Sequence, residues 1–143
     1  MIEPSPLRVP PGWWYDVDAV VHDGDEHTES VLTRPEDLEE IRRVLASAFD
    51  VPRFETLDYL RWFYTQCPFG ETFSGIVRRD GRAISHLAGA PRRLRTVDGT
   101  LDMWLIANVA SVPDAQREGA FLRMCLQAWL MIEGFDQAGI YGV

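Results

Sequence analysis

The stretch best suited to chemistry is a short polar loop, Pro113-Asp114-Ala115-Gln116-Arg117-Glu118-Gly119, set between an apolar strand pattern and an apolar helix pattern. The first turn of a helix leaves backbone N–H groups unpaired and carries partial positive charge, so such a junction is a ready anion site. Gly119 leaves bare backbone where a phosphate would approach, and Ala120 adds little bulk. The chemistry permitted is a grip on phosphate groups. Two common phosphate sites are excluded, since neither Gly-x-x-x-x-Gly-Lys-Ser/Thr nor Gly-x-Gly-x-x-Gly occurs in the chain. Taken alone, one glycine before a helix fits a simple tight turn better than a phosphate site.

Other reactive side chains are scattered. Cys67 follows an aromatic run and Cys125 sits in an apolar helical pattern, so both are expected as buried thiols. His22, His27 and His86 do not gather at metal-ligand spacing, and no metal site is expected. Asp102 and Glu71 are carboxylates that could edge a pocket but fit a solvated surface better, and Asn108 cannot act as a base. Arg92, Arg93 and Arg95 read as a solvated strand face. The catalytic residues stay unassigned.

The elements around the loop are legible. Glu29 to Leu32 reads as a short strand, and Thr33-Arg34-Pro35-Glu36 as a capping box that opens a helix carrying Leu38, Ile41, Leu45 and Ala48 inward. A second helix is expected from about Thr56 to Gln66, stopped by Cys67-Pro68-Phe69-Gly70. Thr72–Arg79, Ala83–Thr96 (interrupted by Pro91) and Thr100–Val112 then read as three strands. Asp80-Gly81 and Asp98-Gly99 are the turns that make them an antiparallel meander. The third strand is nearly all apolar or small, as for a central strand buried on both faces. Phe121 to Ile132 carries two apolar stripes, so its helix lies between layers, and Ala138 to Val143 begins another strand. This is α+β order with a closing β-α-β crossover.

With 143 residues, 46% hydrophobic and 25% charged, the chain has the balance of one folded domain. A net charge of −8 argues against a nucleic-acid partner. Met1 to Pro11 lacks the basic start and apolar run of a secretory signal, and no apolar stretch approaches the ~20 residues of a membrane span. A cytoplasmic location with no membrane partner is expected.

A meander that feeds Val112-Pro113-Asp114-Ala115-Gln116-Arg117-Glu118-Gly119-Ala120-Phe121 and then a two-striped helix resembles the GNAT N-acetyltransferase superfamily, whose cofactor motif is Arg/Gln-x-x-Gly-x-Gly/Ala. Gln116 matches its first position and Gly119 its glycine, while Phe121 stands where the last small residue would be, as in a branch with a Gly-x-Phe variant. Tyr59-Leu60-Arg61-Trp62-Phe63-Tyr64 before Pro68-Phe69-Gly70 looks similar to the Trp-containing second helix of that branch.

The resemblance covers residues 28–143, leaving residues 1–27 as an N-terminal extension. It implies a three-layer α+β fold, with a mixed, mostly antiparallel sheet and helices on both faces, truncated after the fifth strand within a longer chain. It further implies acetyl-CoA as co-substrate. The backbone N–H groups of Arg117, Glu118, Gly119, Ala120 and Phe121 would bind its pyrophosphate. The strand end at Ala110, Ser111 and Val112 would pair with the pantetheine amides. Glu118 departs from the family, where a basic residue is common. The acceptor would be a small-molecule or protein amine. The alternatives are a non-catalytic acyl-CoA-binding or interaction module with this fold, and a split domain completed by another chain, for which a homodimer or aggregation is expected.

Overall fold

The computed structural model describes residues 26–116 and 140–142. Five strands form one sheet in chain order: β1 (Glu26–Leu32), β2 (Phe73–Arg79), β3 (Arg82–Thr96), β4 (Gly99–Ser111) and β5 (Ile140–Gly142). The first four pair antiparallel, and β5 runs parallel to β4. The expected meander is present. Its first turn closes on Asp80 (φ 52°) and Gly81 (φ 74°), both left-handed, which suits the strand twist. At the second turn the pair Thr96↔Gly99 puts Val97 and Asp98, not Asp98 and Gly99, at the tip.

Pro91 does not interrupt β3. The β2–β3 register ends at Phe73↔Gly89, so Pro91, opposite Trp104, lies where one side of β3 is an edge and a missing N–H is tolerated. β1 starts at Glu26, earlier than its expected start at Glu29 and within the stretch read as the N-terminal extension, where Glu26 accepts from Arg79 Nη2 at 2.7 Å.

Helix α1 (Leu38–Ala48) follows its apolar period: Leu38, Ile41, Val44 and Leu45 are buried, each contributing about 1.5–3 kcal/mol relative to exposure. The expected capping box does not form. Thr33 is held by the sheet, its Oγ1 lying 2.7 Å from Ser74 Oγ and its N–H donating to Thr72 O. The entry to α1 is instead a 3-10 turn, Pro35–Asp37, whose Asp37 carboxylate accepts from the Arg34 N–H at 3.0 Å. Arg43 Nη2 donates to Ala83 O at 2.7 Å, and Arg78 pairs with Glu40, so α1 is tied to β3 and β2.

The second helix is not regular. A 3-10 turn (Pro52–Phe54) precedes α2 (Asp58–Leu60), which widens at once into a π-helical stretch, Arg61–Thr65.

Both helices pack on one sheet face, against Ile76, Ala83, Ala88, Ala90, Ala107 and Ala110. Alanines there let helix backbones approach closely. The opposite face carries larger groups, Phe73, Val77, Ile84, Leu87 and Trp104. The helix expected over residues 121–132 lies outside the described residues. β4 is only partly buried along most of its length, which corrects the expectation of a strand covered on both faces.

One glycine on the large-residue face is required. The Phe73 ring, edge-on to Trp104 at 5.2 Å between centroids, lies directly over Gly89, and a methyl group there would overlap it. Gly89→Ala should therefore lower stability by about 1–3 kcal/mol, the ordinary cost of overpacking, read as a lower urea midpoint at unchanged slope.

Candidate functional site

The sheet is irregular where the sequence places its chemistry. The β3–β4 register jumps from His86↔Ala110 to Ala88↔Ala107, so Asn108 and Val109 of β4 face Leu87 alone. This is a β-bulge, and its first residue, Asn108, has φ 52°. Asparagine tolerates that left-handed conformation better than most residues. On its other side, among the described residues, β4 pairs with β5 at Trp104, Leu105 and Ile106. From Ala107 to Ser111 that edge has no strand partner among the described residues. An unpaired edge displays N–H and C=O groups that an amide-bearing ligand can satisfy.

Asn108 is held from three sides. Its carbonyl, which can only accept, lies 2.9 Å from His86 Nδ1, so Nδ1 carries the proton and Nε2 is the acceptor. Its Nδ2 donates to Tyr64 Oη at 3.2 Å, and its Oδ1 accepts from Tyr59 Oη at 3.4 Å. Tyr64 Oη in turn lies 3.4 Å from His86 Nε2, within reach to donate, and Ser74 Oγ lies 3.3 Å from the same nitrogen. Asn108, Tyr64 and His86 thus form a closed ring of hydrogen bonds. His86 is 0% exposed, and burial lowers its pKa from 6.5 to about 4, against the opposing effect of the bond to Asn108. Burial likewise raises the Tyr64 hydroxyl well above its usual range, opposed by the Asn108 amide. The site is uncharged.

The π-helical stretch explains how both tyrosines reach one residue. In a regular α-helix, side chains five apart point about 140° away from each other. Widening the turn to i→i+5 bonding closes that angle, and such turns are frequent at functional sites.

Of the residues expected to bind cofactor, the structure brings together Ala110, Ser111, Val112 and Gln116. Ser111 Oγ lies 2.5 Å from Ser85 Oγ, and its carbonyl accepts from Gln116 Nε2 at 3.3 Å. Val112 is engaged on both sides: its N–H donates to Ile84 O at 2.8 Å and its carbonyl accepts from the Ala115 N–H at 2.9 Å. Val112 thus has its N–H committed within the protein, and its carbonyl anchors the 3-10 turn Pro113–Ala115. Arg117, Glu118, Gly119, Ala120 and Phe121 lie outside the described residues.

Asp102 is bound in a two-pronged pair to Arg93, at 2.7 and 3.0 Å on an exposed face, and that guanidinium lowers its pKa. Glu71 is exposed. Arg92 lies over the Phe63 ring at 5.6 Å. Cys67 is half-buried, its thiol 3.4 Å from Pro91 O. Among the described residues, no group of three or more His, Cys, Asp or Glu could hold a metal ion, and no helix is long and apolar enough to cross a membrane. The residues that sequence reasoning passed over are His86, Tyr59 and Tyr64. The available signal was the lone polar Asn108 inside an apolar strand.

The family model described as "Acetyltransferase (GNAT) domain" matches residues 31–132, more than two-thirds of the chain. No curated protein matches it. Among solved structures, a GNAT family acetyltransferase from Brucella melitensis in complex with acetyl-CoA is similar, at 23% identity and TM-score 0.62 over 81% of this chain and 75% of that one. A predicted acetyltransferase with acetyl-CoA from Clostridium acetobutylicum is 12% identical, with TM-score 0.63 over 82% of this chain and 80% of that one. A protein of unknown function from Enterococcus faecalis, described as a probable N-acyltransferase, is 18% identical with TM-score 0.60 over 77% of this chain. This chain spans only 27% of that one. At these identities the likeness is one of fold.

The buried histidine has a consequence for stability. Unfolded His86 takes up a proton below about pH 6.5, whereas folded His86 does so only near pH 4. Between those values the unfolded chain binds more protons, so acidification favours unfolding. The contribution is present above pH 6.5 and lost by about pH 4, a difference of ~3 kcal/mol. His86→Asn, which keeps an N–H at the Nδ1 position but does not titrate, should remove that part of the acid sensitivity in urea unfolding from pH 7.5 to 4.

Proposed function

This chain belongs to the GNAT acetyltransferase domain family, and on that premise we propose that it binds acetyl-CoA along the open edge of β4 and moves the acetyl group to an amine. The observation that carries the reading is the bulge at Asn108 and Val109, where β4 breaks register with β3 shortly before the loop that starts at Pro113. The two pantetheine amides would bond to the backbone of β4 along Ala107–Ser111. The diphosphate would sit on the backbone N–H groups of Arg117 to Phe121, where Gly119 keeps the approach open. Gln116 supports the reading in a different role from contact: by holding the Ser111 carbonyl it fixes how strand passes into loop.

The chemistry then needs little from the protein beyond placement. An amine held against the thioester carbonyl attacks it, the C–N bond forms, and the C–S bond breaks with departure of the CoA thiolate. A base takes the proton from the ammonium nitrogen. His86 is not that base, because it is buried and its acceptor nitrogen, Nε2, faces Tyr64 and Ser74 within the protein. The acceptor class is an amine, whether of a small molecule or of a protein. The working unit includes β1 from Glu26, two residues earlier than the boundary expected at residue 28, and it acts in the cytoplasm.

A second reading, acyl-CoA binding without turnover, is favoured by Glu118, a carboxylate next to the expected diphosphate site. Titration calorimetry separates the outcomes. The proposal predicts saturable binding of acetyl-CoA below millimolar concentration, with free CoA released when a panel of amines is added. Binding without release by the full-length gene product supports the second reading. No heat at millimolar acetyl-CoA from a folded sample contradicts both.

A further inference from the structure

Three uncommon features converge on Asn108. It is a non-glycine residue in the left-handed region within a strand, it is bonded by a fully buried neutral histidine, and it is bonded by two tyrosines that a π-helical stretch turns toward it. Each is costly alone. A left-handed residue other than glycine stores backbone strain, and a buried imidazole or phenol needs its partners. Their coincidence at one bulge calls for a common cause.

We propose that His86, Tyr64 and Tyr59 are positioning residues that clamp Asn108 in its left-handed conformation and thereby hold the Ala107–Ser111 edge of β4 in the attitude that receives the ligand. The directions of the hydrogen bonds carry this. The Asn108 carbonyl and both side-chain polar atoms are turned into the protein, so Asn108 is a pivot and not a contact for the ligand. A bulge adds one residue to its strand and raises the local twist, so the backbone beyond it, Ala110 and Ser111, changes its heading relative to the paired half at Trp104–Ile106. Without the clamp, relaxation of Asn108 to an extended φ would tend to restore regular pairing with β3 and re-aim that edge. Ser74 and Thr33 extend the same network to the β1–β2 side, with Ser74 Oγ 3.3 Å from His86 Nε2 and 2.7 Å from Thr33 Oγ1.

For what the edge receives, the inference rests on the acyl-CoA reading; the clamp itself is a property of the free protein, and the experiment reads the two separately. Nitrogen-15 NMR of the free chain at pH 7 should show His86 with its proton on Nδ1, and carbon-13 shifts should show Asn108 at positive φ. A proton on Nε2, or an extended Asn108, overturns the clamp. Acetyl-CoA affinity is then measured for two variants. His86→Leu, which removes the donor to Asn108, should bind about tenfold more weakly or worse, the factor equivalent to ~1.4 kcal/mol. His86→Asn restores a donor at that position and should bind within about threefold of the parent. Equal loss in both variants, or none in His86→Leu, overturns the positioning role. Should His86→Leu fail to fold, Tyr64→Phe takes its place: a loss of about tenfold supports the clamp, and unchanged affinity overturns it. Absence of acetyl-CoA binding in the parent, with the expected tautomer present, sinks the acyl-CoA reading while the NMR result still decides the clamp.

Discussion

Two residues of β4 facing one of β3, with Asn108 at φ 52°, set the shape of everything near the site. A regular ladder would have carried β4 straight on. The extra residue breaks the register after Ala107 and adds twist to the strand's far half, whose other edge, from Ala107 to Ser111, has no strand partner among the described residues. That edge is the feature by which a sheet can recognise an extended ligand rich in amides, since every N–H and C=O it offers is otherwise a hydrogen-bonding debt. Fold and function meet in this one departure from regularity.

The surroundings are built to tolerate it. Ala88, Ala90, Ala107 and Ala110 keep the helix-bearing face of the sheet thin, so α1 and the π-helical stretch come close enough for tyrosine hydroxyls to reach β4. The polar groups drawn inward are neutral and mutually bonded. A charged histidine at the same depth would face a desolvation penalty with only the neutral groups of Asn108, Ser74 and Tyr64 bonded to it, and burial keeps it uncharged at neutral pH. A satisfied neutral ring rigidifies where a half-satisfied one would cost stability.

Much of the fold was legible because local chemistry and tertiary structure agree. The Leu38–Leu45 stripe gave α1, Asp80-Gly81 gave a left-handed turn, and the change of period after Gly70 gave the meander. The resemblance carried by Gln116 and Gly119 led to a family that the match over residues 31–132 shows. Readings failed where tertiary context overrode a local rule. Thr33 is a good cap by type, yet the sheet claims its hydroxyl. Pro91 is a strand breaker by type, yet sits where β3 has an edge. The clamp was invisible because it joins residues 22 and 44 positions apart in the chain, from Tyr64 to His86 and Asn108, and no period or motif encodes such a meeting. Asn108 cannot act as a base, and its value lies in tolerating a positive φ.

The most direct measurement is a crystal structure of the chain with acetyl-CoA. The account predicts the pantetheine extended beside Ala107–Ser111, its amides bonded to the backbone of β4, with Asn108 still at positive φ and its carbonyl still on His86. A ligand bound elsewhere, or an Asn108 that has swung to an extended conformation to meet it, would contradict the account.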